Sequence, residues 1–298
     1  MTLNQGFEYR ERVDSRSAGL AVVAYLSRRY RHSSEDEWRQ RLDSGLVLLD
    51  GAPTSANSLL QAGQLLVWRR PPWDEPDVPL SYAVLHLDPT LLAVAKPNGL
   101  PTLPAGGFLM HTLLTLVQSS YPEATPVHRL GRGTSGIVLF ARTTDARKKL
   151  HRAFRENEVV KIYRALASGR PKHDTLTIDV PIGPVPHARL GMVHAACATG
   201  RQSVSHAKVL QRRESSSLWE VRIATGRPHQ IRIHLAAAGY PLVGDPLYTL
   251  EGVFKQEELA LPGNIGYFLH AHKLCLKHPA NGKPLEITCC PPPELRRR

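Results

Sequence analysis

The sequence of 298 residues has few cysteines and no long apolar segment. None of its four cysteines, Cys197, Cys275, Cys289 and Cys290, form a Cys-x-x-Cys pair, which argues against a disulfide framework and a cysteine-rich zinc site. No apolar run approaches the roughly 18 residues of a membrane helix, and the N-terminus has no apolar signal core. We therefore expect a reduced, cytoplasmic protein without a membrane partner.

Aromatic residues are also scarce, at 6%, so a binding surface built mainly on stacked rings is not expected. The formal net charge is +12, and two segments contain the whole excess. Residues 128–164 have ten Lys and Arg against three acids, and residues 201–234 have seven against two. Localised positive charge favours a polyanionic partner, for which we expect nucleic acid. A merely solubilising surface is the alternative.

The chain is expected to form two domains. Residues 17–70 contain two short helical patterns, then a strand with an Asp50-Gly51 turn, and then a second strand. The segment 71–79 has four prolines, which exclude a regular helix or a central strand and indicate a linker. This places a small domain with its linker at 1–78 and a larger domain at 79–298.

The larger domain mixes predicted strands with two predicted helices. LLAVAK, IVLFAR (137–142), VVKIYRALASG and LWEVRIAT are typical of strands. One helix is expected to begin at Thr144 or Asp145. A second, over 228–238, would have Pro228 at its first position and Gly239 just past its end.

The sequence contains no convincing motif for a nucleotide cofactor, a metal or a serine nucleophile. Residues 131–136 match Gly-x-Gly-x-x-Gly, but a strand follows these glycines where a dinucleotide site needs a helix. His229 and His234 diverge on a helix and do not form a metal pair. No Gly-x-Ser-x-Gly elbow is present. We therefore expect no cofactor and no metal.

The remaining functional indication comes from the two basic segments, 128–164 and 201–234. Small residues over 131–136 permit close approach of the backbone to a ligand, and Arg129 and Arg132 can contact phosphate or enter a stack of bases. A surface hairpin with ordinary arginines is the alternative reading of the same residues.

Taken together, these motifs resemble the RluA-type pseudouridine synthases. The matching segments are HRLGRGTSG, KIYRALASG, TGRPHQIRIHLAAAGYPLVGDPLY, LHAHKLCLKHPANGKPL and LLAVAKPNGLPTLP. Residues 17–70 are similar to the small RNA-binding domain named after ribosomal protein S-four. The resemblance implies an α+β fold: a mixed, mainly antiparallel sheet flanked by helices, preceded by a small α+β RNA-binding domain.

The resemblance also implies a function, the isomerisation of uridine to pseudouridine in rRNA or tRNA without cofactor or metal. The sequence does not determine the oligomeric state, for which we expect a monomer. By resemblance, Arg129 fills the stack vacated by the extruded base, Tyr163 packs on the uracil, and Arg232 pairs with a catalytic aspartate. Leu274 would line the pocket. The residues expected at the RNA are Arg129, Arg132, Thr134, Arg227 and His229.

One position departs from the family pattern. The motif that resembles HRLGRGTSG usually has aspartate where this sequence has Gly131, and residues 128–144 contain no Asp or Glu. A carboxylate stabilises or traps the cationic sugar formed when a glycosidic bond breaks. Two hypotheses follow: an active synthase with a displaced carboxylate, or an RNA-binding protein without catalysis. Arg232 would then need another acid, water or an RNA phosphate.

Overall fold

The computed structural model describes residues 3–30, 32–187, 191–254 and 263–298. The chain divides into two compact units, the first ending at Glu75 and the second beginning at Pro76. Residues 71–80 contain neither helix nor strand, as the run of prolines predicts.

The first unit is a small α+β structure. Its elements are β1 (Phe7–Arg12), α1 (Val22–Arg29), α2 (Glu35–Asp43), β2 (Val47–Leu49), β3 (Ala52–Pro53) and β4 (Leu65–Arg70). The strands form an antiparallel sheet in the order β1-β4-β2-β3. Ser34 caps α2 in a reciprocal capping box with Glu37, which satisfies backbone donors that the helix start leaves open. The predicted Asp50-Gly51 turn is confirmed by positive φ at both residues.

The second unit is built on a large sheet. Its elements are β5 (Ala83–Leu87), β6 (Leu91–Lys96), α3 (Leu113–Ser120), β7 (Thr125–Pro126), β8 (Thr134–Ala141), α4 (Thr144–Arg155), β9 (Val160–Ser168), β10 (Thr175–Ile178), β11 (Ile182–His187), β12 (Gly191–Ala196), β13 (Ser205–Arg212), β14 (Ser216–Ile223), α5 (Gln230–Ala237), β15 (Leu269–Lys277) and β16 (Pro284–Thr288). The main path of the sheet is β10-β13-β14-β9-β15-β8-β6-β5. Among the described strands, only β15 and β8 pair in parallel. The predicted α+β class with a mainly antiparallel sheet is confirmed.

Hydrophobic clusters cover both faces of the central strands. Ile137 and Leu139 of β8 pack with Leu150 of α4 in what we term the α4 cluster. Val138 and Phe140, which point the other way, pack with α3 residues in the α3 cluster. Because both faces of β8 are covered, its apolar run is continuous and does not alternate with polar residues.

Helix α5 differs from its predicted form. It begins at Gln230, and its N-cap is His229 with a left-handed φ of 57°, so Pro228 does not occupy the first helical position. Gly239, with φ 87°, follows its end as predicted. All residues from Gln230 to Ala236 are buried, so the helix lies inside the unit and has no exposed basic face. Ile231 and Leu235 join Trp219 and Val221 in what we term the α5 cluster.

Candidate functional site

The loop before β8 is held by a buried lysine. Lys96 is 1% exposed, and its Nζ donates to the carbonyl oxygens of Pro97, Leu100 and Arg132 at 2.9, 2.7 and 3.2 Å. Burial, and then the charge of Arg132, lower the pKa of Lys96 to about 7. The three carbonyls match its three hydrogens, so the side chain fastens the loop to the end of β6.

Arg232 has a carboxylate partner in the structure. Its Nε and a terminal nitrogen donate to the two oxygens of Asp245 at 2.8 and 2.7 Å, and the two side chains are 2% and 1% exposed. Burial opposes the charge of Arg232, but the hydrogen bonds and charge of Asp245 outweigh it, so the pKa of Arg232 is raised. The sequence left an acid, water or an RNA phosphate as possible partners of Arg232, and the structure shows an acid, Asp245.

The carboxylate of Asp245 is fully engaged. One of its oxygens also accepts hydrogen bonds from the backbone N–H groups of Leu247 and Tyr248 at 2.9 and 3.1 Å. Asp145 is no substitute, because it is 72% exposed and pairs with Lys149 within α4. Neither aspartate therefore presents a free carboxylate to a substrate.

Tyr267 connects Arg232 to the loop before β8. The guanidinium carbon of Arg232 lies 4.2 Å from the centre of the Tyr267 ring and 4.9 Å from that of Tyr248. Such short distances over an aromatic face are attractive for a cation. The Tyr267 hydroxyl lies 3.2 Å from the Thr134 hydroxyl. Arg232 is thus fixed by one acid and two rings.

The glycines of the same loop border the Tyr267 ring. A Cβ added at Gly131 would lie 3.2 Å from the Tyr267 hydroxyl oxygen, and one at Gly133 would lie 2.9 Å from two ring carbons. The Gly-x-Gly pattern, which does not belong to a nucleotide fingerprint, therefore has a steric role, since it leaves room for the phenol.

His229 belongs to this cluster through Tyr248. Its Nδ1 lies 2.7 Å from the Tyr248 hydroxyl, which donates to the carbonyl of His194 at 2.7 Å. Burial, followed by the charge of Arg232, lowers the pKa of His229 to about 3. The charge of Arg129 acts on His229 in the same direction. His229 is therefore a neutral hydrogen-bonding group at physiological pH.

Tyr163 and Leu274 lie in different surroundings. Tyr163 on β9 packs against the α5 cluster, which contains Tyr267, and against the α3 cluster, which contains Leu130. Burial raises the pKa of Tyr163 to about 12. Leu274 is buried in the α4 cluster, which includes neither Tyr267 nor Leu130. Tyr163 thus packs against the cluster that contains Tyr267, and Leu274 packs in a different cluster.

The residues expected at the RNA are not uniformly exposed. Arg129 is exposed, whereas Thr134 is buried and Arg227 is partly buried. The Arg132 Nε donates to the carbonyl of Gly263 at 3.0 Å, and its guanidinium lies 5.4 Å from the centre of the Phe108 ring. Arg129 is therefore the freest of these groups to meet a ligand.

Tyr267, Asp245, Tyr248 and Lys96 are the site residues that sequence reasoning missed. Asp245 closes a turn by accepting from the backbone N–H of Leu247, and the same carboxylate also binds Arg232. For Tyr267, the sequence signal is the pair Gly131 and Gly133, which becomes meaningful only when a bulky neighbour is known to lie beside them.

One described side-chain cluster has the composition of a metal site. His86, Asp88 and His278 place their ligand atoms within 4.8 Å of one another. The Nε2 atoms of both histidines lie 2.6 and 2.9 Å from the same Asp88 oxygen, which are hydrogen-bond distances. The His278 Nδ1 accepts from the N–H of Ala280, so its neutral ring carries hydrogen on Nε2, where a metal would need a lone pair. These residues fit a hydrogen-bonded group better than a metal.

No helix in the described part of the chain combines the length and apolarity that crossing a bilayer requires.

Comparison with known proteins gives a consistent result. Residues 90–237 match the family model described as RNA pseudouridylate synthase. An uncharacterized RNA pseudouridine synthase of Synechocystis, slr1592, is 42% identical over 92% of this chain and 95% of that protein. RNA pseudouridine synthase 5 of Arabidopsis thaliana is 37% identical over 99% and 95%. The solved human RNA pseudouridylate synthase domain containing 4 is similar with a TM-score of 0.56 and 26% identity, covering 72% of this chain and 90% of that one.

Proposed function

Because the chain belongs to the RNA pseudouridylate synthase family, we propose that it isomerises uridine to pseudouridine in rRNA or tRNA. The family implies an RNA substrate. One observation supports the proposal: Arg232 and the loop 131–136, which are distant in sequence, meet at Tyr267, and Tyr163 packs against the α5 cluster to which Tyr267 belongs. If these residues lay on separate surfaces, they could not form a single site for a nucleotide.

The proposed reaction uses an extruded uridine. Taking a base out of folded RNA costs a few kcal/mol, and the exposed Arg129 would occupy the vacated stack. Tyr163 would pack on the uracil, and Arg132, Thr134, Arg227 and His229 would contact RNA or shape the loop that does. Leu274 is kept as a proposed pocket residue. No cofactor or metal is required by this proposal, and we propose a cytoplasmic monomer.

The first unit is proposed to be an RNA-binding domain of the S-four type, with its core at 17–70 in a domain of 1–78, and the catalytic domain at 79–298. Support comes from α1, whose last turn carries the exposed Arg28 and Arg29. Basic side chains beside a helix C-terminus interact well with its dipole and are also available to phosphate.

An RNA-binding protein without catalysis is the second candidate. It is favoured by Gly131, at the position where the family resemblance puts aspartate, and by the full engagement of the Asp245 carboxylate. On this reading, the site would still bind an extruded nucleotide but would not break its glycosidic bond.

Tritium release separates the two candidates. Pseudouridine formation replaces the C5–H bond of uracil by a C5–C1′ bond, so RNA labelled at C5 releases its label to water. Total RNA from a strain lacking the gene would be incubated with the full-length protein, and RNA labelled at C6 serves as the control because that bond is retained. Release from C5 alone supports the synthase. Binding without release supports the second candidate.

A further inference from the structure

The phenol of Tyr267 fills the space beside the side-chain position of Gly131. A Cβ at residue 131 would lie 3.2 Å from the phenol oxygen, and one at Gly133 would meet the ring carbons at 2.9 Å. The latter distance is shorter than a van der Waals contact between carbons. Gly133 therefore leaves the space that the ring fills, and the phenol oxygen lies 3.2 Å from where a side chain at 131 would begin.

Other oxygen atoms of the site are less suited to react. Both oxygens of Asp245 bind Arg232, and one of them also binds two backbone N–H groups. The Thr134 hydroxyl is within hydrogen-bond distance of Tyr267 itself. Tyr248 also lies under the Arg232 guanidinium, at 4.9 Å, but its hydroxyl donates to the carbonyl of His194 and contacts His229 Nδ1. Tyr267 combines a nucleophilic oxygen beside Gly131 with the same cation closer to its ring, at 4.2 Å.

We propose that Tyr267 is the nucleophile of this site and attacks the ribose C1′ of the extruded uridine through its phenol oxygen. The inference rests on the proposed synthase function and names the residue that performs it. Tyrosine is an established type of covalent nucleophile, including at sugar carbons.

The chemistry balances without a further reactant. The phenol oxygen bonds to C1′ while the C1′–N1 bond breaks, its electron pair leaves with uracil, and the phenol proton passes to the departing base. After uracil turns, its C5 attacks C1′ and the C1′–O bond breaks. Its electron pair returns to the phenol oxygen, which takes up the proton lost from C5. The Arg232 guanidinium favours the negative charge that develops on the oxygen between these transfers.

The test compares two Tyr-to-Phe variants in single-turnover tritium release. Tyr267→Phe removes the hydroxyl and is expected to lower the rate by at least about 100-fold, with the RNA dissociation constant unchanged within about twofold. Tyr240→Phe is the matched control, because Tyr240 packs against the same α5 cluster, on Trp219. It should keep the wild-type rate. Thermal unfolding establishes that both variants are folded.

A chemical readout tests the bond itself. Wild-type protein quenched in acid during turnover should contain a peptide with nucleotide attached at Tyr267, identified by mass spectrometry, and Tyr267→Phe should not. Turnover of Tyr267→Phe near the wild-type rate would overturn the inference and leave the proposed function standing. Absence of turnover in the wild type would overturn both.

Discussion

The carboxylate of Asp245 makes two kinds of interaction. It accepts hydrogen bonds from the backbone of Leu247 and Tyr248, which closes a turn, and it pairs with Arg232. Replacing it by alanine would leave a guanidinium that is 2% exposed without its charge partner. Removing one member of a buried ion pair costs about 3–5 kcal/mol. We therefore predict that Asp245→Ala lowers the free energy of unfolding by about that amount in urea titration.

Asp145→Ala is the control for this variant. Asp145 also pairs with a cation, Lys149 at 2.9 Å, but it is 72% exposed, and exposed pairs contribute about 0–1 kcal/mol. Equal losses in the two variants would mean that burial does not determine the strength of the Arg232 pair.

At the scale of single residues, sequence motifs identified Arg232 and Tyr163 as candidate site residues. They did not identify the residues that contact them. Whether a buried charge finds an acid depends on the packing of a turn 13 residues away, as the Arg232–Asp245 bond shows. The role of Gly131 and Gly133 depends similarly on a tyrosine more than 130 positions later in the chain. Such three-dimensional contacts leave no periodic signal in the sequence.

Among the elements, the parallel pairing of β8 with β15 depends on Gly136. This residue has φ 110°, and an added Cβ would lie 2.3 Å from the carbonyl oxygen of Ala271 on β15. We predict that Gly136→Ala destabilises the protein by about 3 kcal/mol, the sum of backbone strain and a steric clash. Gly226→Ala is the matched control, because nothing lies within 4 Å of its added Cβ. It should change the urea midpoint little.

Elements with strong patterns were predicted well, and those with mixed signals were missed. The strands β8, β9 and β14 follow from short runs of apolar residues, and the helix α4 follows from apolar residues at helical spacing. The hairpin of β11 and β12 was not predicted, and Pro184 and Pro186 in β11 would by themselves argue against a strand. That argument fails here because the hairpin forms a separate two-stranded sheet, where prolines can occupy positions that need no donor.

At the scale of the whole molecule, buried neutral histidines make stability depend on pH. His270 is 2% exposed, and burial, followed by the charges of His272 and Arg164, lowers its pKa to about 4 against a hydrogen bond to Cys289 that raises it. Between pH 6.5 and 4 the unfolded chain therefore binds more protons at this residue than the folded one does. The contribution to stability is present above the unfolded pKa and is lost as pH falls.

We predict that the free energy of unfolding falls by about 2 kcal/mol between pH 7 and pH 5 through His270 alone. His270→Gln should flatten this part of the urea-derived stability profile, since the amide does not titrate. His173→Gln, at an exposed position, is the control and should leave the slope unchanged. A slope that stays the same in His270→Gln would show that other groups cause the acid sensitivity.

The charge distribution leads to a prediction about RNA affinity. Arg147 and Lys148 lie exposed on α4, within the basic segment 128–164. Each cation that neutralises a phosphate releases counterions, so the logarithm of the binding constant falls by about 0.7–0.9 per contact for each tenfold rise in salt. If α4 faces the RNA, Arg147→Ala with Lys148→Ala should reduce this slope by about 1.5 in filter-binding titrations. Arg170→Ala with Lys172→Ala is the matched control, because both side chains are exposed but lie outside both basic segments and outside the domain 1–78. An unchanged slope in the double variant would show that α4 does not contact the RNA. The basic residues of the segment 201–234 and of the loop around Arg129 would then be the candidates for phosphate contacts.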